Sequence, residues 1–299
     1  MSFTPAETAA CQRLVELALD EDLGPLQDFP ERWVGDLTSK MLIPPDLTGR
    51  AAFVARSSGV LAGLPAAELV MQTARTPLLK LQPLMTEGSR VNPGDQLAVV
   101  TGLMEFILTV ERTALNFLQH LSGIATVTRR YVDAVAGVPC QIVDTRKTTP
   151  GWRLLEKYAV RQGGGQNHRL GLYDAILIKD NHLAALGGTP NAFARVMLSQ
   201  LKQQTGVPVE IEVDSLDQLD RALDCRPDMV LLDNMDLDQL REAVRRRAAL
   251  APKVLLEASG GVTLDTVRAI AETGVDRISV GALTHSAPAL DIALDYLKA

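Results

Sequence analysis

The sequence predicts an α/β protein in which a parallel barrel follows a smaller, sheet-rich domain, and three observations predict it. From Asp133 onward short apolar runs alternate with amphipathic segments, the pattern of repeated strand-helix units on a parallel sheet. Residues 50 to 100 instead hold strand-like runs around Asn92-Pro93-Gly94-Asp95, a turn signal. A chain of 299 residues, 46% apolar and 22% charged, can bury the core of one large barrel or of a barrel with a second domain.

In the first part, helices are expected at 6 to 20, 65 to 75 and 105 to 120, flanking RAAFVARSSGVLAG and EGSRVNPGDQLAVVTG. The Gly-Asp turn is similar to that of lipoyl-type sandwiches, but no lysine stands at it, so a structural domain is expected and not a carrier. Barrel strands are expected at 140 to 145, 174 to 180, 209 to 213, 228 to 233, 253 to 258 and 276 to 281. Helical patterns follow Ser215, Asp236 and Thr263, the last with Leu264, Val267, Ile270 and Ala271 on one face and Gly274 as its cap. The expected division is 1 to 115 for the first domain and 116 to 287 for the barrel. Residues 288 to 299, ALDIALDYLKA after Pro288, are read as an amphipathic helix packing back on the first domain.

Composition excludes several classes. A net charge of -6 argues against general affinity for nucleic acid. Cys11, Cys140 and Cys225 are odd in number and far apart, so no disulfide framework or zinc-type CxxC is present. His120, His168, His182 and His285 form neither HxxxH nor HExxH, which leaves a transition-metal site without sequence support. No basic segment leads an apolar core at the N-terminus and no apolar run approaches membrane-spanning length, so a soluble cytoplasmic protein is expected.

Strand parity locates the chemistry. In VEIEV, Glu210 and Glu212 share a face with Asp214, opposite Val209, Ile211 and Val213. By the same parity Asp233 joins Met229 and Leu231, and Lys179 joins Leu177 and Ala175. Charges at the carboxyl ends of barrel strands mark the active face of that fold, although buried ion pairs would give the same pattern. In DTRKTTPG, Arg146 and Lys147 stand just past a strand, where either a solvated pair or an anion site is consistent. RQGGGQNHRLGL adds Arg161, His168 and Arg169, and so many cations around one pocket call for a ligand with several negative charges. Near the end, EASGGV and SVGALTHS run from strands into small-residue loops suited to a phosphate, or to ordinary tight turns.

Together DTRKTTPGWRLLEKYAVRQGGGQNHRLGLYDAILIKDNH, ERTALNFLQHLSGIAT, VEIEVDSLDQL, VLLDNM, EASGGV and SVGALTHS resemble quinolinate phosphoribosyltransferase, across most of the chain from Leu103 onward. EDLG and GDLTSKMLIP fit as well, whereas PLQDFPERWV, Pro25 to Val34, looks like an insertion that affects a loop and not the chemistry. The resemblance implies an incomplete (β/α) barrel with an N-terminal α+β sandwich-like domain, and a homodimer whose active sites are shared between subunits. It implies transfer of phosphoribosyl from phosphoribosyl pyrophosphate to quinolinate with loss of CO2. On the matching positions it places Arg112, Arg146, Lys147, Thr148, His168, Arg169 and Lys179 in the acid and phosphate pocket, with Arg112 from the other subunit. Glu212 and Asp233 match acids near the ribose and its Mg2+, which arrives mainly on the diphosphate, and Ser259, Gly260, Gly261, Val280, Gly281 and Ala282 match the 5'-phosphate loops.

Physical chemistry agrees with those roles. Two adjacent carboxylates favour planar guanidinium partners such as Arg146 and Arg169. Phosphoribosyl transfer passes through oxocarbenium character, so Glu212 and Asp233 stabilise the sugar while Lys147, Lys179 and Mg2+ neutralise the leaving diphosphate. No protein nucleophile is required. The competing readings are a phosphoribosyltransferase for a related pyridine carboxylate, a Schiff-base aldolase using Lys179, and a non-catalytic sensor of phosphorylated metabolites.

Overall fold

In the computed structural model, Thr4 opens the first helix, α1 (Pro5–Leu23), with a reciprocal capping box to Glu7, and Gly24 closes it at φ +80°. Two orphan amides are thereby satisfied and the helix has a fixed start. The structure describes residues 2–24, 35–73, 79–179, 181–182 and 204–298. The insertion Pro25 to Val34 lies outside the described residues.

After α1 come α2 (Leu37–Leu42), β1 (Thr48–Ala55), β2 (Gly59–Val60), α3 (Leu64–Thr73), β3 (Lys80–Pro83), β4 (Arg90–Val91) and β5 (Gln96–Leu103). The Asn92 to Asp95 turn forms as the sequence predicts, with Gly94 at φ +94° and the Asp95 carboxylate accepting from the Asn92 amide at 2.8 Å. Helix α4 (Met104–Ala134) continues without a break beyond the expected 105 to 120. Strand β6 (Gln141–Val143) and helix α5 (Arg153–Gln162) precede the strands β7 (Ile176–Ile178), β8 (Val209–Val213), β9 (Met229–Asp233), β10 (Leu255–Ser259) and β11 (Arg277–Ser279). Helices α6 (Leu216–Asp224), α7 (Leu237–Leu250) and α8 (Val267–Ala271) follow β8, β9 and β10, and α9 (Ala282–His285) and β12 (Ile292–Leu297) end the chain.

Two units result. The first comprises residues 1–129, 148–164 and 283–299, and the second 130–147 and 165–282. Helix α5 therefore groups with the first unit, where Arg161 pairs with Glu7 of α1 and Tyr158 stacks edge-on against Phe3 at 4.7 Å. The expected barrel segment of 116 to 287 thus holds stretches that cluster with the N-terminal sheet.

In the first unit the main sheet runs β12-β1-β5-β3, with β2 and β4 paired separately. The expected helix of 288 to 299 is corrected: Ile292–Leu297 form a strand, and β12 runs antiparallel to β1 from Arg50↔Leu297 to Ala55↔Ile292. Tertiary pairing overrides a pattern that fits both periods, because β1 offers a full row of backbone partners and Leu297 packs on the buried Ala52, Val54 and Val99.

The second unit is a parallel sheet in the order β6-β11-β10-β9-β8-β7. Among the described residues its end strands β6 and β7 share no ladder, which is the incomplete barrel the family resemblance implies. Val209, Ile211 and Val213 are buried, as parity requires. Helix α8 is shorter than expected: Thr263 and Thr266 bond to each other in a turn and leave Leu264 exposed, while Gly274 ends the unit at φ +94°.

Candidate active site

A cavity of about 580 Å³ lies at the carboxyl ends of the six parallel strands, the end where barrels place their chemistry. Arg146 and Lys147 follow β6, Lys179 follows β7, and Glu212, Asp233, Ser259 and Ser279 close β8 to β11. His168, Arg169, Gly260 and Gly261 complete the polar wall, with Leu177 and Leu231 beneath it. Strand parity alone brings Lys179, Glu212 and Asp233 to one side.

The glycine triplet delivers the loop that carries His168 and Arg169. Gly163 caps α5 where a Cβ would stand 2.5 Å from both the Ala125 carbonyl and the Thr128 Cβ, and Gly164 has φ +87°. Only glycine lets the backbone pass so close to α4 and then turn. Gln166 next lies beside β6: its amide donates to the Ile142 carbonyl at 2.9 Å and its carbonyl accepts from Asp144 at 3.1 Å. The fully buried Asp144 carboxylate then accepts from the Asn167 side chain at 2.6 Å and from the His168 amide at 2.8 Å. Beyond Arg169, Asp174 accepts the amides of Leu170 and Gly171 at 2.6 and 2.9 Å. Two carboxylates thus anchor the loop on both sides, and the glycines shape its approach.

Electrostatics define what the cavity takes. Burial, and then the neighbouring Arg146 guanidinium, lower the Arg169 pKa from its ordinary value. Like charges held this close are relieved by an anion that bonds both. Lys179 Nζ lies 2.8 Å from Glu212 Oε2, and Asp233 accepts from Asn234 at 2.9 Å. Asn234 itself adopts φ +56° and donates its amide to the Ser259 carbonyl at 2.9 Å, which ties the end of β9 to the glycine loop after β10. Glu212 and Asp233 offer hard oxygen donors of the kind Mg2+ accepts.

Sequence reasoning missed Glu257 and Asn234. Glu257 is fully buried on β10, two residues before Ser259, so parity could have placed it. Its carboxyl pKa is raised from 4.5 to about 7, by burial first and then by the Glu210 carboxylate, against the lowering effect of His168. A folded-state pKa above the unfolded one means the folded state holds the proton more tightly, so stability falls as pH rises from about 4.5 to about 7. Glu257→Gln should therefore raise the melting temperature at about pH 8 by a few degrees, with the gain vanishing near pH 4. Calorimetry across that range checks it; a lower melting temperature at the alkaline end would mean that the charged form is the better bound one.

Other expected residues, including Val280, Gly281 and Ala282, are not among those that line this cavity. The Val280 amide donates to Val143 at 3.0 Å. Thr148 and Arg112 belong to the first unit, where the Thr148 hydroxyl accepts from Arg153 Nε at 3.1 Å and Arg112 is exposed on α4. Asp180 and residues 183 to 203 lie outside the described residues.

The fold and this site define an α/β barrel protein whose cationic cavity suits small polyanions, with acids at the ends of neighbouring strands. Comparison with known proteins is more specific. Residues 36–122 match the family model for the quinolinate phosphoribosyl transferase N-terminal domain, and residues 124–295 match that for its C-terminal domain. The chain is 44% identical over 294 residues to a nicotinate-nucleotide pyrophosphorylase [carboxylating] of Mycobacterium leprae, covering 98% of this chain and 99% of that one. It is 40% identical over 296 residues to a chloroplastic relative of the same description from Oryza sativa, covering 94% and 76%. The solved nicotinate-nucleotide pyrophosphorylase of Francisella tularensis superposes with a TM-score of 0.86 at 35% identity, over 99% of this chain and 98% of that one. The chain belongs to the quinolinate phosphoribosyltransferase family. Human nicotinic acid phosphoribosyltransferase, at 14% identity and a TM-score of 0.65 over 88% of this chain and 74% of that one, shares the fold alone.

Proposed function

We propose that this protein transfers the phosphoribosyl group of phosphoribosyl pyrophosphate to quinolinate, giving nicotinate mononucleotide, pyrophosphate and CO2 in the de novo synthesis of NAD. The observation that carries this reading is the pairing of Arg146 with Arg169 in a cavity that also holds two acids on neighbouring strands. Two guanidinium groups match the two adjacent carboxylates of quinolinate as planar multidentate donors. Glu212 and Asp233 stabilise positive charge on the ribose as the bond to the leaving diphosphate lengthens, and they orient the sugar hydroxyls. Lys147 and Lys179 neutralise the diphosphate. Ser259, Gly260 and Gly261 receive the 5'-phosphate, with Val280, Gly281 and Ala282 as the second loop.

Mg2+ arriving with the diphosphate would supply charge neutralisation, held by the phosphates with Glu212 and Asp233 as further oxygen donors. The contact of Lys179 Nζ with Glu212 at 2.8 Å commits the amine to a carboxylate, which disfavours a Schiff base. Parallel assays of pyrophosphate release with quinolinate and with nicotinate test the substrate. Release with nicotinate alone would replace quinolinate as the acceptor.

A homodimer with shared sites accompanies this reading, Arg112 acting in its partner's cavity. Mixing an Arg112→Ala chain with a Lys179→Ala chain should restore activity to roughly a quarter of normal, since random pairing leaves one intact site in half of the dimers. Proven hybrids without any recovery would place Arg112 outside the site. The protein is assigned to the cytoplasm, and among the described residues no helix is long and apolar enough to cross a membrane.

A further inference from the structure

Arg146 and Arg169 both line the cavity at the carboxyl ends of the strands. Along the chain they are separated by α5 and the glycine triplet, a route too long and too pliable to hold two guanidinium groups at one spacing. A shorter route runs through hydrogen bonds.

It begins at β6, which ends the described parallel sheet. Gln166 docks on the edge of β6 away from β11: it bridges Val143 in parallel, donates its amide to the Ile142 carbonyl at 2.9 Å and accepts from the Asp144 amide at 3.1 Å. Where those backbone bonds stop, the Asp144 side chain takes over. Its Oδ2 accepts from Asn167 Nδ2 at 2.6 Å and its Oδ1 from the His168 amide at 2.8 Å. Asp144 is fully buried, and a carboxylate that accepts from N–H groups away from water makes strong bonds that are costly to leave unmade.

The consequence is a bridge between the two arginines. Asp144 stands two residues before Arg146, and His168 stands next to Arg169, although Asp144 and His168 are 24 residues apart in sequence. Asp174 holds the other side of Arg169 through the amides of Leu170 and Gly171 at 2.6 and 2.9 Å. Arg169 is thus gripped on both sides, on one of them by the segment that leads into Arg146. Neither Asp144 nor Asn167 is among the residues that line this cavity, so whatever Asp144 does for a ligand it does through the residues it holds.

Spacing matters for the ligand assigned above. Two adjacent carboxylates engage two guanidinium groups only at a matching separation, whereas a single carboxylate needs one of them. A frame that fixes the separation in advance places the cost of holding two like charges together on folding and not on the ligand. Its benefit goes to a dicarboxylate and hardly at all to a monocarboxylate.

We propose that Asp144 is the positioning residue that sets the spacing of Arg146 and Arg169, and that it thereby selects an adjacent dicarboxylate over a monocarboxylate. This rests on the assignment of quinolinate as the acceptor.

The test is titration calorimetry of the full chain with quinolinate, with nicotinate, and with phosphoribosyl pyrophosphate and Mg2+, accompanied by steady-state kinetics and melting curves. Asp144→Asn keeps the side-chain shape, but an amide has one acceptor oxygen, so one of the two N–H donors loses its partner. The Kd for quinolinate should rise roughly tenfold, while those for nicotinate and phosphoribosyl pyrophosphate stay within about twofold of normal. The KM for quinolinate should rise with its Kd, and kcat should change less. Asn167→Ala, which leaves His168 its carboxylate, should show the same loss of selectivity at a smaller size. Adding Asn167→Asp to Asp144→Asn exchanges donor and acceptor and restores both bonds, so selectivity should return to within about threefold of normal. A quinolinate Kd within about twofold of normal in folded Asp144→Asn would overturn the spacing role. An equal loss for all three ligands, or a double variant as unselective as the single one, would overturn it too. If Asp144→Asn does not fold, Asn167→Ala decides by the first two of these criteria. An unaltered protein that binds quinolinate no better than nicotinate and releases no pyrophosphate with it would overturn the acceptor assignment and this proposal together.

Discussion

Arg169→Ala is expected to raise the Kd for quinolinate by about 30- to 4,000-fold, the equivalent of 2 to 5 kcal/mol for a buried charge pair that loses one partner. Arg169 faces Arg146 at an electrostatic cost in the ligand-free protein, and the dicarboxylate relieves it. Removing one guanidinium eases the repulsion but strands a desolvated carboxylate, and the second effect is the larger. Arg169→Lys should recover part of the loss, because it keeps the charge without the planar fork. Titration calorimetry with quinolinate alone reads this directly. Affinity within about twofold of normal in Arg169→Ala would remove the residue from the acid pocket.

Gly260→Ala is expected to weaken phosphoribosyl pyrophosphate by at least about tenfold in KM and to lower kcat with it. Gly260 has φ +99°, and a Cβ there would stand 2.1 Å from Asn234 Oδ1 and 3.0 Å from the Asn234 amide nitrogen. The strained backbone costs about 1 to 3 kcal/mol. The clash also displaces Asn234, whose side chain donates to Asp233 at 2.9 Å, so the phosphate loop and the sugar-facing acid are disturbed together. Gly261→Ala, at φ +59° with nothing within 4 Å of the new Cβ, should do less. Steady-state kinetics of the two variants, with melting curves to exclude misfolding, test this; equal effects would mean that backbone strain, and not Asn234, is responsible.

Much of the site is legible because strand parity is a strict period. Lys179, Glu212 and Asp233 follow from the two-residue alternation of their strands, and all three line the cavity at the carboxyl ends of the strands. The role of the glycine triplet is less legible. Three glycines suit a phosphate cradle as well as a close approach, and only the positions of Ala125 and Thr128 show that Gly163 is there for passage against α4. The anchor of His168 is hidden for another reason: Asp144 stands 24 residues away, a contact no local pattern encodes. Glu257 went unread although it stands out as the acid in the mostly apolar run VLLEA and its parity with Ser259 points inward. The C-terminal strand was misread because its apolar spacing suits a helix as well as a strand, and the open edge of β1 decides. Arg112 and Thr148 belong to the first unit and are not among the residues that line the cavity.

The most direct test of the account is CO2 release from carboxyl-labelled quinolinate, measured with and without phosphoribosyl pyrophosphate and Mg2+. One CO2 is expected for each pyrophosphate, and none when phosphoribosyl pyrophosphate is withheld. Label retained in the product, or CO2 released without the sugar donor, would contradict it.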